Sequence, residues 1–428
     1  MLLVLVLFVA GRCLVPMDET DLFFNLRLGE IVLHTGGVPT TNLLSFTHPG
    51  APDVNLAWLF QVVLALAHRW GGIPGTVVLK TAFVAGTWAV LYQVARRRGA
   101  HPAAAALALA LCAWSAEPRF VERPHLVTFL GLALLLLAIE RSEAGRPRML
   151  WLFVPGALVW ANANSCFFLA PSILLLYAAG ARLEGRQSDA RRALLVALAL
   201  LPFLFATPSG TGCLRYIANH FRMPSLRPLQ EYRVAEWPLD GPFIFLLVAV
   251  AAAAAWRRIP LRWALPVAAL ALLGSRRIRF VAEFSILAGP VLAVVLTGLV
   301  EKLPRRAASV VGSGLLLVLT VVPRLRASFD LGIEAGLVPV DAIAFAERQG
   351  LRERMYNDLE VGSYLTWEGW PRHRVFQDPR INGYPHLFVL DQDGKLLQSQ
   401  DTSPLESGSS YDLARMTEFL SKWAAPAG

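Results

Sequence analysis

Lysine is scarce in this chain. Of its 40 basic residues only Lys80, Lys302, Lys395 and Lys422 are lysines; the others are arginines. Charge of either sign is scarce too. Asp, Glu, Lys and Arg together make up 17% of the 428 residues, against about 25% in soluble domains. With 55% hydrophobic residues and a mean hydropathy of +0.49, that excludes a soluble globular enzyme and implies an integral membrane protein. Cysteine is nearly missing. Cys13, Cys112, Cys166 and Cys213 stand far apart, mostly inside apolar runs. They exclude a disulfide framework, a CxxC redox pair and a zinc spacing, and read as buried free thiols. The first 15 residues lack the basic start and small-residue cleavage site of a signal peptide. They read as a first membrane helix, although they fall short of the about 20 residues of a full span; the true start then lies upstream or the helix is short. The net charge of +9 does not point to nucleic acid, because the arginines gather in loops between apolar runs.

Those runs fall near 74–95, 100–116, 125–140, 149–163, 166–182, 191–208, 241–256, 260–274, 280–299 and 307–323. Arg96 to Arg98, Arg141 to Arg148, Arg182 to Arg192, Arg257, Arg258 and Arg262, and Arg305 with Arg306 mark alternate loops. Cytoplasmic loops are the arginine-rich ones. Placing all of these inside gives a map of about eleven transmembrane helices, N-terminus inside and C-terminus outside. The map needs 55–70 to lie in the interface, anchored by Trp58 at one end and His68, Arg69 and Trp70 at the other. Residues 17–73 then form one large outer loop. The fold class expected is an α-helical polytopic membrane protein with a small extracytoplasmic α/β C-terminal domain. Its parts are a transmembrane domain over 1–323, an α/β unit over 324–385 and a tail over 386–428.

The outer loop opens with an acidic cluster, Asp18, Glu19 and Asp21. Ionisable groups at such a depth are costly and tend to be functional, although Asp and Thr also cap helices. Three further outer segments face the same side on this map. One is Glu117 to His125, with Arg119, Glu122, Arg123 and His125. The second is loop 209–240, with Arg227, Arg233, Glu236 and Trp237. The third is Arg276, Arg277 and Arg279. Their arginines are on the wrong side for topology signals. Local pairing with Glu122, Glu236 or Glu283, or snorkelling to headgroups, is one explanation. An anion site is the other, because guanidinium forks match phosphate geometry; that reading is preferred for the group rather than for any one arginine.

Read in order, the motifs resemble those of the GT-C superfamily of polytopic glycosyltransferases, in particular bacterial relatives of the dolichyl-phosphate-mannose mannosyltransferase type. The first is Glu19-Thr20-Asp21-Leu22-Phe23-Phe24-Asn25-Leu26-Arg27-Leu28-Gly29-Glu30. Gly37-Val38-Pro39, Ser45-Phe46-Thr47 and Trp58-Leu59-Phe60-Gln61 follow. Arg123-Pro124-His125, Trp160-Ala161-Asn162, Pro208 with Gly210, Glu236-Trp237, Asn357-Asp358, Gly362 to Leu365 and Val375 to Arg380 complete the series, over about 18–385. The resemblance implies a sugar carried on a polyprenyl phosphate in a bacterial cytoplasmic (inner) membrane. It implies transfer with inversion to a glycan, lipid or protein acceptor outside, with Asp21 as the base and Glu19 or Asp18 as its alternates. Arg119, Arg123, His125, Arg233, Glu236, Arg276, Arg277 and Arg279 would bind the substrate or its phosphate. An outward-facing cavity should bring Asp21 to Arg123, His125 or Arg276 to Arg279. Relatives often have His at the places of Asn25 and Asn164. No cofactor is assigned, and a divalent cation stays open. A lipid-linked anion transporter is the competing reading, but no internal repeat is found and the charges gather at helix ends. A non-catalytic scaffold is the third.

The tail resembles the last third of a thioredoxin-like domain without its CxxC. His386 to Leu397 reads as two strands around a tight turn, and Asp412 to Trp423 as a helix. Upstream, Val340 to Gln349 reads as a helix and Arg354 to Asn357 and Arg374 to Gln377 as strands. The hairpin is expected to extend that sheet, with Leu413, Met416, Phe419, Leu420 and Trp423 covering one face.

Overall fold

The computed structural model describes residues 1–47, 50, 52–214, 218, 230–302, 304, 310, 312–314, 331–350, 353–355, 357, 359–375, 386–390, 396–401, 405–407 and 410–423. The apolar runs from 74 to 299 are helical. In chain order the helices are α1 Leu2–Cys13, α2 Asp21–Thr35, α3 Trp58–Arg97, α4 Pro102–Ala116, α5 His125–Glu143, α6 Arg148–Ala163 and α7 Leu169–Leu183. Then come α8 Gln187–Leu200, α9 Gly241–Trp256, α10 Leu261–Arg276, α11 Val281–Val300, α12 Val340–Arg348, α13 Leu359–Gly369 and α14 Leu413–Trp423. Among the described residues four segments are long and apolar enough to cross a membrane: Trp58–Arg97, His125–Glu143, Ser165–Leu183 and Ile278–Val300. Eleven full spans were expected. The difference arises because several runs form helices of only 12 to 16 residues, short of a span. The run at 307–323 and Arg305 and Arg306 lie almost wholly outside the described residues.

Small residues set the packing. Helix α4 is alanine-rich, and its buried alanines let α11 approach closely. A Cβ on Gly289 of α11 would come within 2.7 Å of Leu109 Cδ2. At Gly131 of α5 a Cβ would sit 2.5 Å from the Trp160 ring, which lies on it and donates Nε1 to Thr128 Oγ1 at 2.9 Å. Gly29 packs α2 onto α3 so tightly that a Cβ would strike the Gln61 carbonyl and reach 2.9 Å from Ala65 Cβ. Helix α3 is two helices joined at Gly72, whose φ of 59° and ψ of −154° are open to glycine but strained for other residues. Pro74 follows, and Trp70 beside the break is 83% exposed.

The loops sort to two ends of the bundle. At one end Arg262 pairs with Glu143 at 2.6 Å and with Glu184, Tyr177 donates to Glu143 at 2.6 Å, Arg192 donates to Ser142 at 2.8 Å, and Arg98 lies 3.9 Å over the Trp263 ring. Four of the arginine-rich loops therefore meet there. At the other end Arg12 pairs with Glu117, Ala235 N–H donates to Ser275 C=O at 3.2 Å, and Ile278 N–H donates to Arg233 C=O at 3.2 Å. Helix α5 joins the two ends. At 1.5 Å per residue its 19 residues separate them by about 28 Å.

The C-terminal elements begin with a βαβ unit. Strand β1 (Glu353–Met355) pairs in parallel with β2 (His373–Val375), and α13 crosses between them. This unit is fastened to the first long loop. Ser45 bridges Val375, and Phe46 N–H donates to Val375 C=O at 3.1 Å. Met17 N–H donates to Gly332 C=O at 2.8 Å, and Glu334 N–H donates back to Met17 C=O at 2.9 Å. Phe23 of α2 stacks edge-on against Tyr364, centroids 5.1 Å apart, and lies 5.4 Å from Trp367, whose carbonyl accepts from Arg27. The hairpin forms as expected, β3 (His386–Leu390) antiparallel to β4 (Leu396–Asp401), but it is a separate sheet. The edge of β2 away from β1 is taken by Ser45 and Phe46. Nor does α14 cover a sheet face: Leu413 and Leu420 are 81% and 55% exposed, and no residue of α14 is buried. Pro385 lies outside the described residues.

Candidate functional site

The acidic cluster sits where α1 gives way to α2. Met17 is buried and clamped by residues 332–334, which fixes the chain one residue before Asp18. Asp21 opens α2, and its backbone N–H donates to Glu19 Oε1 at 3.0 Å. Opposite stands the turn between α4 and α5. His125 knits that turn together: its Nε2 lies 2.7 Å from the Arg119 carbonyl and its Nδ1 3.4 Å from Arg119 Nη2.

Arg123 joins the two. Its Nε lies 2.6 Å from Glu19 Oε2, and its Nη2 lies 2.9 Å from Glu19 Oε1 and 3.0 Å from Asp21 Oδ2. Its remaining nitrogen pairs with Glu231, which also receives Arg119 Nη1 at 3.0 Å. Asp21 was expected within reach of Arg123, His125 or Arg276 to Arg279, and it meets Arg123 directly. The group still opens to solvent: Asp21, Glu231 and Arg123 keep 29, 28 and 25% of their side-chain surface, Glu19 only 10%.

Burial pushes the Asp21 carboxyl up to about 6. Arg123 pulls it down, and the neighbouring charges of Glu19 and Glu231 add to the rise. Glu231 goes the other way. Burial would raise it, but Arg119, Arg123 and Arg279 together hold it well below the usual carboxylate range. The next residue, Tyr232, accepts a hydrogen bond from Arg279 and lies under two cations, with Arg279 4.9 Å and Arg277 5.7 Å from its ring centroid.

Of the residues singled out in the sequence, the structure thus brings together Glu19, Asp21, Arg119, Arg123 and His125. Arg277 and Arg279 join them through Tyr232. Asp18 is exposed, and among the described residues it makes no ion pair. Arg233 instead forms a two-pronged pair with Asp240, at 2.5 and 2.9 Å, and the backbone N–H of Glu236 donates to the same carboxylate at 2.8 Å. Arg276 is exposed at the end of α10. Arg227 lies outside the described residues.

Sequence reasoning missed two members of the group. Glu231 carries no pattern of its own; only its place in the 209–240 loop gave a signal. Lys80 and Glu122 form an ion pair at 2.8 Å, both side chains 0% exposed, directly beside Arg123. A lysine inside an apolar run was the available signal. Burial raises the Glu122 carboxyl and Lys80 pulls it down.

The two amides singled out in the sequence, Asn25 and Asn164, are both hydrogen-bonded. Asn25 donates to the Asp21 carbonyl at 2.8 Å and accepts from Gln61 at 2.9 Å, and Gln61 in turn accepts from Asn55 at 2.7 Å. Asn164 accepts from Thr128 Oγ1 at 3.1 Å and from Cys166 N–H at 2.7 Å. Among the described residues no group of three or more His, Cys, Asp or Glu is arranged to hold a metal ion. The carboxylates of Glu19, Asp21 and Glu231 surround one guanidinium rather than a common point, so this donor set does not fit a divalent cation.

No protein-family model matches the sequence, and no curated protein matches it. Solved structures do. The oligosaccharyltransferase of Archaeoglobus fulgidus tethered by a disulfide to an acceptor peptide with an NVT sequon superposes with a TM-score of 0.58 at 12% identity. The match covers 88% of this chain and 63% of that one. The same enzyme in its apo form gives 0.57 at 12% identity, over 88% and 65%. The chain therefore spans less than two thirds of these neighbours. At that identity the likeness concerns the fold alone: this is a helical membrane protein that shares the fold of these two structures.

Proposed function

We propose that this chain is a membrane glycosyltransferase that moves a sugar from a polyprenyl-phosphate donor to an acceptor outside the cytoplasm, with inversion. In this reading it sits in a bacterial cytoplasmic membrane with its N-terminus inside and C-terminus outside. The observation that carries the proposal is the shared guanidinium. Arg123 ties an acid with a raised pKa, Asp21, to an arginine-rich anion site formed with Arg119 and flanked by Arg279. A base and a leaving-group site have to lie this close in a single displacement.

The acceptor's hydroxyl proton passes to an Asp21 oxygen as the hydroxyl oxygen bonds to the anomeric carbon. The bond from that carbon to the phosphate oxygen breaks on the opposite face. The charge gathering on the lipid phosphate is stabilised by the arginines, already oriented and partly desolvated. Asp21 suits the base better than Glu19. Glu19 spends both oxygens on Arg123 and is the more enclosed, whereas Asp21 has one contact with Arg123. Asp18 lies outside the cluster. The peptide on the neighbouring enzyme makes an asparagine peptide one acceptor to try beside glycans and lipids.

The experiment is transfer from labelled polyprenyl-phosphate sugars by protein in nanodiscs. Asp21→Asn should abolish turnover and keep the melting temperature, since the amide cannot take the proton. Unchanged turnover in that variant would remove Asp21 from the mechanism. A wild-type protein inert with every donor and acceptor class would refute the activity itself.

A further inference from the structure

We infer that Glu231 is a resident stand-in for the donor's phosphate: its carboxylate holds the place between Arg119 and Arg123 that the lipid phosphate takes, and donor binding displaces it. The inference rests on the glycosyltransferase reading above.

Three observations point this way. First, Glu231 is surplus to Arg123. Glu19 already meets that guanidinium at 2.6 and 2.9 Å and Asp21 at 3.0 Å. What Glu231 adds is a partner for Arg119, at 3.0 Å, and a negative charge near Arg279. Those are the cations a leaving phosphate would need. Second, the carboxylate is firmly ionised there, so it resembles a bound anion rather than an acid in reserve. Third, it is carried on a short turn, Gln230–Tyr232, rather than on a spanning helix. The base of that turn is fixed by the hydrogen bonds joining Arg233 and Ala235 to Ile278 and Ser275. Tyr232 anchors it through ring contacts with Arg277 and Arg279 rather than through a packed helix. More than a quarter of the Glu231 side chain is accessible, so an incoming anion can compete for it.

A purely structural counter-ion predicts the reverse. If Glu231 only keeps Arg119 and Arg123 in position, its loss scatters them and weakens anion binding. A stand-in present about nine-tenths of the time lowers the apparent affinity about ten-fold, and its removal restores that factor.

The test is binding of farnesyl phosphate, inorganic phosphate and farnesol to full-length protein in nanodiscs, for wild type, Glu231→Gln and Glu231→Asp. Glu231→Gln should bind farnesyl phosphate about ten-fold more tightly, with Glu231→Asp close to wild type and farnesol unaffected. Equal or weaker binding by Glu231→Gln overturns the inference. Tightening for inorganic phosphate alone overturns the lipid-phosphate assignment. Absence of farnesyl phosphate binding in every protein sinks the glycosyltransferase reading itself. Should Glu231→Gln fail to fold, carbodiimide labelling of wild-type Glu231 decides. The reagent needs a protonated carboxyl, so labelling should rise when farnesyl phosphate frees Glu231 from its arginines; unchanged or reduced labelling overturns the inference.

Discussion

Replacing Lys80 by Met leaves Glu122 buried without its cation, one residue from the arginine that organises the site. Both side chains are wholly enclosed and 2.8 Å apart, so water cannot take over the lost partner. Removing one member of such a pair costs about 3–5 kcal/mol, whereas replacing both by uncharged groups is often neutral. Glu122 has an escape, because a buried carboxyl can take up a proton. From an ordinary Glu value of about 4.3, protonation at pH 7 costs about 3.7 kcal/mol, and at about pH 5.5 only about 1.6 kcal/mol. The sign follows from a folded-state pKa raised above the unfolded one: stability is present at low pH and lost as pH rises. Lys80→Met should therefore melt well below wild type at pH 7 and recover most of the difference on acidification. Glu122→Gln, which strands the ammonium, gains nothing from acid. The double variant Lys80→Met with Glu122→Gln should return to within about 1 kcal/mol of wild type. Thermal unfolding in nanodiscs at several pH values measures all of this. A Lys80→Met protein that melts with wild type at pH 7, or whose deficit ignores pH, would refute the reasoning.

The transfer rate should fall as pH drops through about 6, since Asp21 works only when ionised and its carboxyl is raised to that value. A pH–rate profile flat down to pH 5 would contradict it. Arg123→Gln removes the cation that pulls Asp21 down, so its acid limb should move to higher pH on top of a loss in rate. Gly29→Ala should destabilise by about 1–3 kcal/mol, because the added methyl meets the Gln61 backbone; a gain in melting temperature would show that α2 and α3 can part freely. Phe23→Ala should cost about 3–5 kcal/mol and hasten proteolysis around α13, whose Tyr364 and Trp367 rest on that ring; unchanged proteolysis would show that the clamp at Met17 suffices.

The helices were legible because apolar runs and the loops that interrupt them are local features. Four of the five loops that arginine placement grouped, 96–98, 141–148, 182–192 and 257–262, do meet at one end of the bundle; Arg305 and Arg306 lie outside the described residues. Span count was not legible. Hydropathy over a run cannot tell a 15-residue helix such as Pro102–Ala116 from a full crossing, and the glycine and alanine contacts that settle its packing are made with distant helices. In the site, Asp21, Glu19, Arg119 and Arg123 could be read because they cluster in short motifs. Glu231 and Lys80 could not, since each is a single charge whose meaning comes from a partner far away in sequence. The hydrogen bonds of the amides Asn25 and Asn164 were not legible either, since they depend on Gln61 and Thr128, far away in sequence. The hairpin was visible as a local strand–turn–strand pattern, but its separation from the β1–β2 sheet was not, because pairing between strands far apart in sequence leaves no local signal.

The clamp at Met17 has a consequence for biosynthesis. Asp18, Glu19 and Asp21 are made about 310 residues ahead of the segment that pins them in place, residues 332–334. At roughly 5–20 residues per second the wait is on the order of 15–60 s. During that time the early helices can enter the bilayer while the acidic entrance to α2 stays unpinned. The pinned geometry then arises only once residues 332–334 have been made, so a chain terminated before them would insert into the membrane without acquiring it.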